Sequence, residues 1–266
     1  MPENVKKHYR DLTALSKRGV LGEIIPEHRA LFRSHFSRLN WLIILFLPIL
    51  FNYVVFESMT LISQIWATLF EFWVGKIEIP GKVLMFATNL VNRELLLPEL
   101  FIVTSAPSAQ DWWLLALITV ALLVLMYSLP KYLMPLSYII GFLALIMLSS
   151  LIYFSIMPAK FSYTISGYLN NLTVSAIWLM LVIPWIHALI YYIFDFSFFK
   201  KGLLTTLTLV FIILALPFQL LVQAVILVKY SIIMLPVLNV FFGLFLLILC
   251  CLSLYGWAMS WERHSR

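Results

Sequence analysis

The chain has 266 residues, 63% of them hydrophobic and 11% charged, with a formal net charge of +6. Soluble domains carry about 45–50% and about 25% respectively, so an ordinary water-soluble enzyme is excluded. The basic excess marks faces turned to the cytoplasm rather than a nucleic-acid partner.

Residues 1–40 hold eight Lys/Arg against four acids. Within "EHRALFRSHFSRLNW", Leu31, Phe32, Phe36 and Leu39 recur at helical spacing, with Arg29 and Arg33 on another face and Arg38 leading into the first apolar run. This is a basic amphipathic arm suited to anionic headgroups.

A span needs roughly 20 apolar residues to cross about 30 Å of hydrocarbon. Six segments qualify, at 41–57, 112–129, 136–157, 173–195, 203–228 and 231–257. The expected fold is therefore an all-α polytopic membrane protein, a six-helix transmembrane bundle. With both termini cytoplasmic, inner segments hold thirteen Lys/Arg and outer ones five, as the positive-inside rule requires. A bacterial inner membrane is the expected location, and residues 258–266 form a cytoplasmic tail.

Between spans 1 and 2, residues 58–111 are expected to form a small extracytoplasmic α+β cap. Ile62, Ile65, Trp66, Leu69, Phe70 and Trp73 make a stripe that predicts an interfacial helix over 58–73. "KIEI", then "PG", then "KVLMFATNLV" predicts a hairpin turning at Pro80–Gly81, and "LFIVTSAPS" a short third strand.

Polar residues inside the bilayer are costly, so function is sought there first. Each follows a proline: Asn52 after Pro48, His187 after Pro184, Gln219 and Gln223 after Pro217, and Asn239 after Pro236. Each proline is expected to kink its helix and free a carbonyl one turn earlier. The four amides could share one level in the outer half of the bilayer, although separate interhelical hydrogen bonds are the favoured explanation. His187 stands on a stripe with Tyr191 and Asp195 and reads as a structural histidine.

Catalytic motifs such as GxSxG, HExxH or a P-loop do not occur, and Cys250 and Cys251 are adjacent, a spacing that suits neither a disulfide nor a metal pair. No cofactor and no metal are expected. The resulting expectation is a non-catalytic integral subunit of a larger envelope complex for secretion, export or assembly, with membrane lipids and other proteins as partners. The alternatives are a permease-type subunit using the amides, or an enzyme acting on a lipid-linked substrate.

Overall fold

A computed structural model describes residues 38–77, 79–90, 93–103, 106–157, 160–193 and 198–259. Arg29 and Arg33 lie outside them, and Arg38 is the first residue of a helix. In chain order the elements are α1 (Arg38–Ile77), β1 (Gly81–Leu90), β2 (Arg93–Ile102), α2 (Ala109–Ser128), α3 (Met134–Ile156), α4 (Ile165–Ile193), α5 (Phe198–Tyr230), α6 (Leu235–Phe242) and α7 (Leu244–Met259). Six stretches are long and apolar enough to cross a membrane: Leu45–Ile77, Ala109–Ser128, Lys131–Ile156, Ile165–Ile190, Phe199–Tyr230 and Ile232–Ala258. The chain is a polytopic helical membrane protein carrying one small sheet.

Residues 58–73 do not form a helix of their own. They continue the first span without a break, giving one 40-residue helix, about 60 Å long. Val55, Met59, Ile62, Trp66 and Phe70 are its buried stripe, while Ile65, expected on that face, is exposed. Tertiary packing explains the difference. The stripe meets the bundle itself rather than a lipid surface, because Trp66 Nε1 donates to the Ile213 carbonyl at 2.8 Å, midway along α5.

The hairpin also differs from expectation. β1 and β2 pair antiparallel from Gly81↔Ile102 to Leu90↔Arg93, so the chain reverses between Leu90 and Arg93, and Gly81 begins the sheet instead. The residues expected as a third strand belong partly to β2. Gly81 is required there for a reason other than a turn. A Cβ at that position would stand 2.8 Å from the Phe101 carbonyl oxygen of the facing strand.

β2 is the strand that docks. Ser63 of α1 donates to the Leu96 carbonyl at 2.6 Å, and the Ser166 hydroxyl both accepts from Ile102 N–H at 2.9 Å and donates to the Ile102 carbonyl at 3.1 Å. Leu97, Leu100 and Ile102 are buried by these contacts. Ser63 lies one turn from Trp66, so the sheet runs along the flank of the bundle, level with the middle of α5, rather than over its end.

The other helices follow from local signals. A capping box starts α2, with Asp111 N–H donating to Ser108 Oγ and Ser108 N–H donating to Asp111 Oδ2, each at 3.1 Å. Pro130 stops the helix, and Pro135 sits harmlessly in the first turn of α3. These two helices form a peripheral antiparallel pair; only Leu115 and Thr119 of α2 are buried. Trp112 Nε1 donates to Ser155 Oγ at 2.9 Å across their ends. Trp112→Phe is expected to cost about 1 kcal/mol, the usual worth of one such bond, read as a small fall in the thermal midpoint of the detergent-solubilised chain. α4 and α5 form the centre, where Ala176, Ile177, Met180, Ile212, Leu216 and Ala224 are fully enclosed.

Candidate functional site

Two polar features stand out on this frame. The first is a break in the last span. α6 ends at Phe242 and α7 begins at Leu244, with Gly243 between them at φ −82° and ψ −144°. Glycine is needed because a Cβ there would collide with the Asn239 carbonyl oxygen, a backbone atom that cannot yield. A helix that stops inside the bilayer strands its last carbonyls, and α5 supplies the donors. Gln219 Nε2 donates to the carbonyls of Phe242 and, at 2.9 Å, Gly243, while Gln223 Nε2 donates to Phe242. Their i, i+4 spacing puts both amides on one face of α5.

Proline accounts for the second carbonyl on α5. Pro217 has no N–H, so the carbonyl four residues earlier, on Ile213, loses its helical donor. That is the oxygen Trp66 occupies. Pro48 and Pro184 likewise lie inside their helices, whereas Pro236 stands in the first turn of α6 and kinks nothing.

Three of the four amides lie near the break, and Asn52 stands apart from them. Gln219 and Gln223 meet at the break, and Asn239 on α6 is exposed. Asn52 faces a different region, where its Oδ1 is buried without a hydrogen-bond partner. His187 is buried with Nδ1 3.2 Å from Thr205 Oγ1. The Thr205 hydroxyl donates to the Lys201 carbonyl at 3.0 Å, which leaves its oxygen to accept from Nδ1–H of the histidine. Asp195 lies outside the described residues, and the Tyr191 side chain is likewise undescribed. Cys250 and Cys251 are both free thiols, and among the described residues no cluster has the makings of a metal site.

The second feature is a groove that sequence reading missed. Asn52, Tyr53, Phe56 and Glu57 of α1, Arg93 of β2, and Trp178, Leu181, Val182 and Trp185 of α4 enclose about 520 Å³. Arg93 Nη1 donates to Glu57 Oε1 at 3.2 Å, and its guanidinium lies 5.6 Å above the Phe56 ring. A signal for it was present in α1. Up to this point the exposed residues of α1 are apolar, Leu45, Phe46, Ile49, Leu50, Tyr53 and Val54, and from Glu57 on Thr60, Gln64, Thr68 and Glu71 are mixed with the exposed Leu61, Ile65 and Phe72. Glu57 is thus the first polar group on that outward face, and it stands at the groove.

These features define the class, an integral membrane protein built on six apolar helices. No family model matches the chain, and neither a curated protein nor a solved structure matches it.

Proposed function

We propose that this protein is a non-catalytic integral subunit of a larger envelope complex, taking a partner protein along β1. The observation that carries this reading is the sheet. β1 is ten residues long, and among the described residues β2 is its single strand neighbour and nothing bonds its outer edge. An open edge is a template for another strand. Its position makes the need sharper, because β2 is docked level with the middle of α5, where lipid offers no hydrogen bonds. The thirteen-to-five distribution of Lys/Arg supports an inner-membrane placement with both termini in the cytoplasm.

Gentle extraction from native membranes, native-size separation and mass spectrometry provide the test. A stoichiometric partner is expected, and exchanging the exposed Leu84 and Met85 of β1 for Lys should release it while the chain remains inserted. A wild-type chain that migrates alone would overturn the reading. A permease-type subunit is the second reading, favoured by the broken last span, since discontinuous helices commonly mark transport sites at mid-bilayer.

A further inference from the structure

We propose that this chain forms a two-fold dimer within the membrane through Asn239, whose side-chain amide pairs with the same amide of a second copy. The first observation is depth. Ser150 of α3 donates to the Ile233 carbonyl at 2.7 Å, and Phe142 of α3 meets Phe241 with ring centroids 5.8 Å apart. Between these two contacts α3 and the last span run antiparallel and step equally, so Asn239 lies level with Ala144. Ala144 is near the centre of the Lys131–Ile156 span, roughly 18–20 Å from either end. Asn239 therefore stands in the middle of the hydrocarbon.

The second is that the amide is exposed at that depth with nothing to bond. Among the described residues no hydrogen bond reaches the Asn239 side chain. Ser149, Thr206 and Ser253 are also exposed on spans, but each hydroxyl donates to a carbonyl of its own helix. Gln219 and Gln223 direct their N–H groups to the carbonyls of the break. An amide left without a partner in hydrocarbon is costly. Asparagine is too short to carry its head to the bilayer surface as lysine and arginine do, and acyl chains offer no hydrogen bonds. Val240 and Phe242 of the same helix are exposed beside it and give the amide an apolar surround.

The third is complementarity, which fixes the occupant. A primary amide complements itself. Each donates an N–H to the other's carbonyl oxygen, so two such side chains satisfy one another with a reciprocal pair of bonds. Copies of one chain insert in one orientation, set by their shared Lys/Arg distribution, so a two-fold relating them runs along the membrane normal. That axis brings a residue opposite its own counterpart at equal depth. Asn239 meets the second copy's amide with no register left to tune. A different protein would have to offer a polar group of its own at the bilayer centre. This inference does not rest on the partner read for the edge of β1.

The test uses the full chain in phosphatidylcholine vesicles at falling protein-to-lipid ratio, with energy transfer between donor- and acceptor-labelled copies reporting the dimer. Asn239→Leu should weaken association about tenfold, whereas Asn239→Gln keeps the amide and most of the association. Leucine on an exposed apolar face leaves the fold intact, and the glutamine variant separates loss of the amide from any general disturbance. Location is read by oxidative crosslinking in native membranes, in a Cys250→Ala, Cys251→Ala background. Val240→Cys should yield a dimer of two chains, and adding Asn239→Leu should reduce it. Val120→Cys, also exposed and at a similar depth on α2, should not crosslink. The proposal is overturned by a wild type that is monomeric at every ratio, by Asn239→Leu associating as well as the wild type, or by Val240→Cys joining a different polypeptide. Crosslinking of Val120→Cys as readily as Val240→Cys would overturn it too. A dimer carrying no other protein supports this proposal while overturning the reading of β1.

Discussion

Replacing Trp66 with Ala is expected to lower the unfolding free energy of the detergent-solubilised chain by roughly 3–5 kcal/mol, the range for truncating a large buried aromatic residue. Two losses combine. Trp66 is fully enclosed, so a large cavity opens where α1 meets α5. The Ile213 carbonyl also loses the donor that compensates for Pro217. The two can be separated. Trp66→Phe keeps most of the volume and removes the N–H, and should cost about 1–3 kcal/mol, the penalty for one orphaned buried group. In a Pro217→Ala background the residue 217 N–H can reach Ile213, so Trp66→Phe should then cost much less. A cycle of these variants measures the coupling. Coupling near zero would mean that the indole N–H does not stand in for the proline's missing donor.

Exchanging Gln219 and Gln223 together for Leu should have the next largest effect. The Phe242 carbonyl loses both of its donors, while Gly243 keeps the Leu246 N–H at 3.2 Å. One orphaned carbonyl in a low-dielectric interior costs about 1–3 kcal/mol, and each single variant should cost clearly less than the pair. Hydrogen exchange across α6 and α7 should rise on either side of Gly243. If the two singles summed to the double, the glutamines would not be sharing one acceptor. Under the permease reading the double variant would in addition stop solute flux into proteoliposomes, whereas a subunit reading leaves partner binding at β1 unaffected.

The six spans were legible because runs of some 20 apolar residues leave a chain few other options. What the sequence concealed was how those runs continue or stop. Beyond Glu57 the polar residues Thr60, Gln64, Thr68 and Glu71 dilute the local hydropathy of α1. Sorted by helical face, they lie opposite the buried Val55, Met59, Ile62, Trp66 and Phe70. The break in the last span rests on a lone glycine in "VFFGLF", and lone glycines in apolar helices are often unremarkable. The i, i+4 glutamine pair was visible, but its acceptor, the Phe242 carbonyl, is 23 and 19 residues away and set only by tertiary packing. For the hairpin, Pro80–Gly81 had the strongest turn chemistry and drew the reversal to itself. The actual reversal falls between Leu90 and Arg93 and is fixed by the pairing of two ten-residue strands. Glu57 and Arg93 are 36 residues apart, and no local pattern joins them.

Ile102 depends for both its N–H and its carbonyl on one hydroxyl, that of Ser166, 64 residues further along the chain. A ribosome adding 5–20 residues per second takes roughly 3–13 s to make that stretch. During this interval the end of β2 has no anchor of its own, while α2 and α3 emerge and can pair locally across a short loop. The sheet is thus among the first parts to be synthesised and cannot be locked until α4 arrives. Its exposed strands are left in the meantime to whatever escorts the nascent chain.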